Sequence, residues 1–143
     1  MRDERGASAV EFGLVAGLLV LLIALTGPLA AALAEQLKLG RTAGRTVRFA
    51  TEAPDRKRYD CFGNRVARRP TAAEVVAEAL CTHYGTGAPA PSFTVSVNPE
   101  PRAAAPGQPV EVAVSNVVDL GPIGDLLGKP ELTLTARAVS LRE

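Results

Sequence analysis

Few residues in this 143-residue chain have the type and spacing to carry chemistry. His83 is the only histidine, and Cys81 and Cys61 precede it. These make three potential zinc ligands, but their spacing fits no structural zinc pattern and a fourth ligand is missing. A Cys81–His83 nucleophile pair fails on geometry, because residues two apart on a helix point to different faces. No glycine-rich phosphate loop follows a strand: Gly13–Gly17 lies inside an apolar run, and the segment before Gly40–Gly44 is not strand-like. The net charge is +1 and the basic residues lack interleaved aromatics, which argues against nucleic acid. We therefore expect no enzyme, no metal, no cofactor and no small-molecule substrate.

Two chemically informative features remain. The first is the cysteine pair itself. Cys61 and Cys81 suit a disulfide if their surroundings lie outside the cytoplasm. Such a bridge closes a loop of about twenty residues, worth roughly 3 kcal/mol in the chain-entropy model. The alternative is two unpaired buried thiols.

The second is Glu11, a carboxylate at the edge of an apolar run. Phe12 to Ala34 contains no charge and is long enough to cross a bilayer as a helix. Gly27-Pro28 predicts a kink rather than an end. Ala9, Gly13 and Gly17 recur at four-residue spacing, a small-residue stripe on which another helix can pack closely. Three readings compete. A cleaved signal peptide would use Arg2 and Arg5, the apolar run and the Ala32-Leu33-Ala34 site before Glu35, giving a secreted binding domain. A plain single-pass anchor meets the positive-inside bias awkwardly, since Lys38, Arg41, Arg45 and Arg48 follow the span. The third reading gives Glu11 a use: a charge costly in a membrane finds a cation or free amine on a neighbouring subunit.

The stretch Arg5-Gly6-Ala7-Ser8-Ala9-Val10-Glu11-Phe12 resembles the processing site of type IV prepilins. In that family a dedicated peptidase cuts after a glycine on the cytoplasmic face, and a glutamate is the fifth residue of the mature chain. A cut after Gly6 makes Glu11 the fifth residue. The wording RGASAVEFGLV is similar to the TadE/TadF-like minor pilins or pseudopilins of tight-adherence, Flp-type systems, and the ending LTARAVSLRE resembles theirs too. The likeness covers the N-terminal region; the remainder matches in outline. It implies that Gly6 and Ala7 flank a processing bond and that Glu11 aligns the subunit against the amine of a neighbour's Ala7. It also implies partners: the prepilin peptidase, other pilin-like subunits, pilus assembly proteins and membrane lipid. The location implied is the bacterial cell membrane, single-pass, with the N-terminus cytoplasmic and the head extracytoplasmic. An extracellular fibre is a further destination.

The elements that must position these residues follow from patterning. Residues 38–69 carry ten basic side chains against three acidic ones, a collar after the span; residues 70–143 carry four against eight. Leu33, Leu37 and Val47 with Phe49 predict that the helix continues past the membrane, until Pro54 ends it. Residues 55–70 read as a charged loop. Thr71-Ala72-Ala73-Glu74 is a capping box opening a second helix, with Val75, Val76, Ala79 and Leu80 inward and Glu74 and Glu78 outward. Gly85–Pro91 is a turn region. Alternation then predicts three strands, around 93–97, 110–114 and 132–139, with a Pro-rich loop over 99–109 and a short helix within Leu120–Leu127. The expected fold is α+β: a leader (1–6), an N-terminal helix (7–53) with its span at about 12–34, and a head (54–143). The head packs one helix on a three-stranded antiparallel sheet. Without tryptophan, its core is Val, Leu and Ala.

Overall fold

In the computed structural model of the chain, helix α1 runs unbroken from Glu4 to Thr51, through Pro28. Residues 4–52, 59–66, 68–85 and 92–143 are described, apart from the side chains of residues 4–9 and Pro122. The helix begins within the segment read as a leader and ends just before the expected residue 53. Leu, Val and Ala, good helix formers or tolerable ones, dominate its first thirty positions. Thr26 donates its hydroxyl to the Ile23 carbonyl at 2.7 Å, which satisfies that hydroxyl one turn from Pro28. None of the most apolar stretch is buried within the protein. The helix is long and apolar enough to cross a bilayer, and it fits a single-pass membrane protein.

The second half of α1 changes character. Ala32, Leu39, Ala43, Val47 and Ala50 are buried, joined by Thr42 and Thr46. Spacings of three, four and seven put these on one face, and their small size lets the sheet approach closely. The expected apolar face was partly misplaced. Val47 and Phe49 are buried, but Leu33 and Leu37 remain 58% and 66% exposed. They lie on the opposite side, continuous with the exposed apolar surface of the span; the small residues take the inner face because only they fit there.

Helix α2, Ala72–Tyr84, opens on the predicted capping box: Thr71 accepts from the Glu74 amide, and Glu74 accepts from the Thr71 amide. The Thr71 amide bond, with Arg68 and Arg102 nearby, holds the Glu74 carboxyl below its ordinary range. The helix closes on Gly85, whose φ of 74° is the left-handed conformation glycine adopts freely. Val75, Ala79 and Leu80 face inward as expected. Glu78 does not face outward: it is 3% exposed. Arg45 of α1, the Cys61 amide and the Thr82 hydroxyl supply the partners that make this burial tolerable.

Strands β1 (Phe93–Asn98), β2 (Pro109–Asp119) and β3 (Glu131–Leu141) form an antiparallel sheet in the order β1-β2-β3. The register stacks Val95 on Val114, Val97 on Val112, Val112 on Ala138 and Val114 on Ala136, so one face is apolar. Val110, Val112 and Val114 are fully buried there. The α+β fold is therefore as expected; α1 lies across β2 and β3 and α2 meets β1, so both helices cover the sheet. Short helix α3, Gly121–Leu126, joins β2 to β3.

Candidate functional site

Backbone positions Gly6, Ala7 and Ala9 lie in α1, with side chains outside the described set. Glu11, Gly13 and Gly17 are exposed, and a Cβ added at either glycine would meet nothing within 4 Å. No other described element reaches this stretch. Glu11 stands about 30 Å along the helix from Ala32, where the head begins to cover α1. The structure does bring Cys61 and Cys81 together as a disulfide, with Cα atoms 6.1 Å apart. Asp60 prepares that loop: its carboxylate accepts from the Phe62 and Asn64 amides and from the Asn64 side chain. Desolvation, the largest single effect, pushes its pKa up, and these bonds together outweigh it and hold the pKa below the usual value.

The densest polar constellation lies where α1 leaves its exposed apolar stretch. Glu35 Oε1 is 2.8 Å from His83 Nε2 and 2.6 Å from Asn116 Nδ2, so one carboxylate joins α1, α2 and β2. Asn116 Oδ1 accepts from the Val117 amide and from the Tyr84 hydroxyl. His83 Nδ1 is 3.5 Å from Thr42 Oγ1, and that hydroxyl donates to the Lys38 carbonyl at 2.9 Å. The His83 ring packs against Phe93 and Tyr84, and the Lys38 ammonium sits 5.8 Å from the centre of the Tyr84 ring.

Burial holds His83 below its ordinary pKa; Lys38 acts in the same direction, and Glu35 opposes them. The ring is thus neutral at pH 7, and its bond to Glu35 assigns the proton to Nε2. Carboxylate, imidazole and hydroxyl in a row have the order of a hydrolytic triad. They cannot act as one. Thr42 is 1% exposed, and its proton is directed into the α1 backbone. What the cluster can do is mechanical: it fixes the angle at which the apolar helix enters the head.

A second polar centre surrounds Glu78, beneath an open groove of about 610 Å³ lined by Arg41, Arg45, Arg48, Glu52 and Tyr59. Arg45 Nε lies 3.2 Å from Glu78 Oε1. Part of the basic collar is thereby neutralised: Arg45 pairs with Glu78 and Arg68 with Glu74. Among the described residues, no group of three or more His, Cys, Asp or Glu side chains is placed to hold a metal ion.

The junction cluster was missed in the sequence, where Glu35 figured only as the residue after a cleavage site. A signal existed. Asn116 continues the inward parity of Val110, Val112 and Val114, and a polar residue on a buried face needs a partner. No protein-family model, curated protein or solved structure matches this chain.

Proposed function

We propose that this chain is a structural subunit, a TadE-like minor pilin or pseudopilin acting in the biogenesis of a Flp-type pilus or the related secretion apparatus. The observation that carries the reading is Glu11: a carboxylate at the edge of an apolar helical surface that no other described residue covers. A helix left bare in this way needs lipid or other helices around it, and the Ala9–Gly13–Gly17 spacing suits close helix neighbours. A prepilin peptidase cut between Gly6 and Ala7 places the new amine where a neighbour's Glu11 attracts it. The disulfide suits a head outside the cytoplasm. Exposed Arg41 and Arg48 then face the outer leaflet or acidic surfaces of adjoining subunits.

Ala32 bears on the alternative, a secreted domain cut after Ala34. Glu35 and Gln36 follow that cut and keep their bonds to the head either way, whereas Ala32 precedes it and is buried, so the fold also covers α1 before the site. This favours retention of the helix. The test is Glu11→Gln: it abolishes incorporation into the assembled structure and leaves membrane insertion intact. Normal assembly of the variant defeats the alignment role.

A further inference from the structure

The sheet and α1 share a direction that carries the β2–β3 connection toward the membrane. At one end, the Glu143 amide donates to the Thr51 carbonyl and the Thr51 hydroxyl to Ser140. Toward the other, Gln36 donates to the Thr135 carbonyl and Asn116 to Glu35. Moving along β2 from Asn116 to Asp119 therefore runs parallel to moving along α1 toward its apolar half. Those three residues advance about 10 Å, which on a helix is about six or seven residues. Asp119 and its cross-strand partner Glu131 thus stand near the level of Pro28 and Leu29. Helix α3 lies beyond them and touches α1.

At this tip two adjacent leucines point out of the protein, Leu126 77% and Leu127 66% exposed. Leu25 and Leu29 of α1 are exposed near the same level, and the exposed Asp119 and Glu131 carboxylates beside them put this level at the headgroup boundary. We infer that the α3 tip is a second membrane contact, a shallow foot whose Leu126 and Leu127 enter the outer edge of the lipid hydrocarbon beside α1. The inference rests on reading α1 as a membrane span.

The tip is built for a medium that cannot satisfy backbone groups. Leu127 donates to the Ile123 carbonyl, Gly128 to Asp125, Lys129 to Gly124 and Leu120 to Pro130, while the Gly121 amide donates to the Asp119 carboxylate. Gly124 makes this winding possible: a Cβ there would lie 2.7 Å from the Lys129 carbonyl oxygen and from the Pro130 Cα. Asp125, beside the leucines, limits the depth to the headgroup boundary. Lys129 can lay its methylenes along the apolar edge and keep its ammonium wet.

The chain has no tryptophan, so a single one reports its own surroundings. The test is the full chain in phosphatidylcholine vesicles, with bromines at shallow or deep acyl positions and tryptophan placed by Leu126→Trp. Leu22→Trp on the span and Val139→Trp, at the far end of β3, are controls. We expect Leu126→Trp to be blue-shifted and to lose intensity most to shallow bromines, Leu22→Trp to deep ones, and Val139→Trp to neither. Leu127→Trp repeats the measurement should the first variant express poorly. If Leu126→Trp behaves like Val139→Trp while Leu22→Trp is quenched, the foot is wrong and the span stands. Blue-shifted but unquenched emission means that a protein neighbour covers the tip, which also overturns the lipid contact. An unquenched Leu22→Trp removes the span and the foot together.

Discussion

Glu35 on α1 and His83 on α2 are joined by a 2.8 Å hydrogen bond at the point where the exposed apolar helix becomes the buried one. The same carboxylate oxygen takes the Asn116 amide, so three elements meet at one atom. Glu35→Ala would leave two donors unpaired in a largely desolvated site. The expected loss is roughly 1.5–3 kcal/mol of head stability, the range for hydrogen bonds to a charged group. Urea unfolding of the full chain in detergent micelles, followed by tyrosine fluorescence, measures it. An unchanged midpoint would deny the junction its structural role.

The junction also makes stability depend on pH. Burial holds the folded-state pKa of His83 below its ordinary 6.5, so its contribution is complete above pH 6.5. As pH falls through that value the unfolded chain takes up a proton that the folded chain resists, and stability declines toward the folded pKa. Glu74 and Asp60, both held below their ordinary values of 4.5 and 3.8, add a second decline further into acid. His83→Gln should remove the upper phase and leave the lower one. Thermal midpoints from pH 8 to pH 3 in the same micelles separate the two.

Reduction of Cys61–Cys81 should destabilise the head by about 3 kcal/mol, the loop-entropy value for a closure of this length. The same bridge holds the loop whose Cys61 amide bonds to buried Glu78 at 2.6 Å. Urea midpoints with and without a phosphine reductant test this. Equal midpoints would contradict it.

Thr46 offers a change in the opposite direction. It is fully buried, and its hydroxyl lacks a hydrogen-bond partner among the described residues. Thr46→Val keeps the shape and removes the unsatisfied group at little cost in helix propensity. A gain of about 1 kcal/mol is expected in the same urea assay.

Much of this architecture was legible because it is written in periods. The alternation of Val110, Val112 and Val114 and the Thr71–Glu74 box are local signals, and local chemistry decided them. The errors arose where a distant element decided. Glu78 looked outward until Arg45 and Cys61, from two other segments, supplied its partners. Leu33 and Leu37 looked like core, because apolar residues on a membrane-crossing helix and on a head-packing helix are the same residue types. Small residues such as Ala43 marked the true inner face, and size is a weaker signal than hydropathy. Glu35, His83 and Asn116 are far apart in the chain, and only the fold brings them together.

The claim that this chain is a processed, pilin-like membrane subunit is tested most directly by the N-terminal residue of the mature protein. Intact-mass and N-terminal peptide spectra of protein isolated from its native membrane should begin at Ala7. A chain beginning at Glu35 or at Met1 would contradict the account.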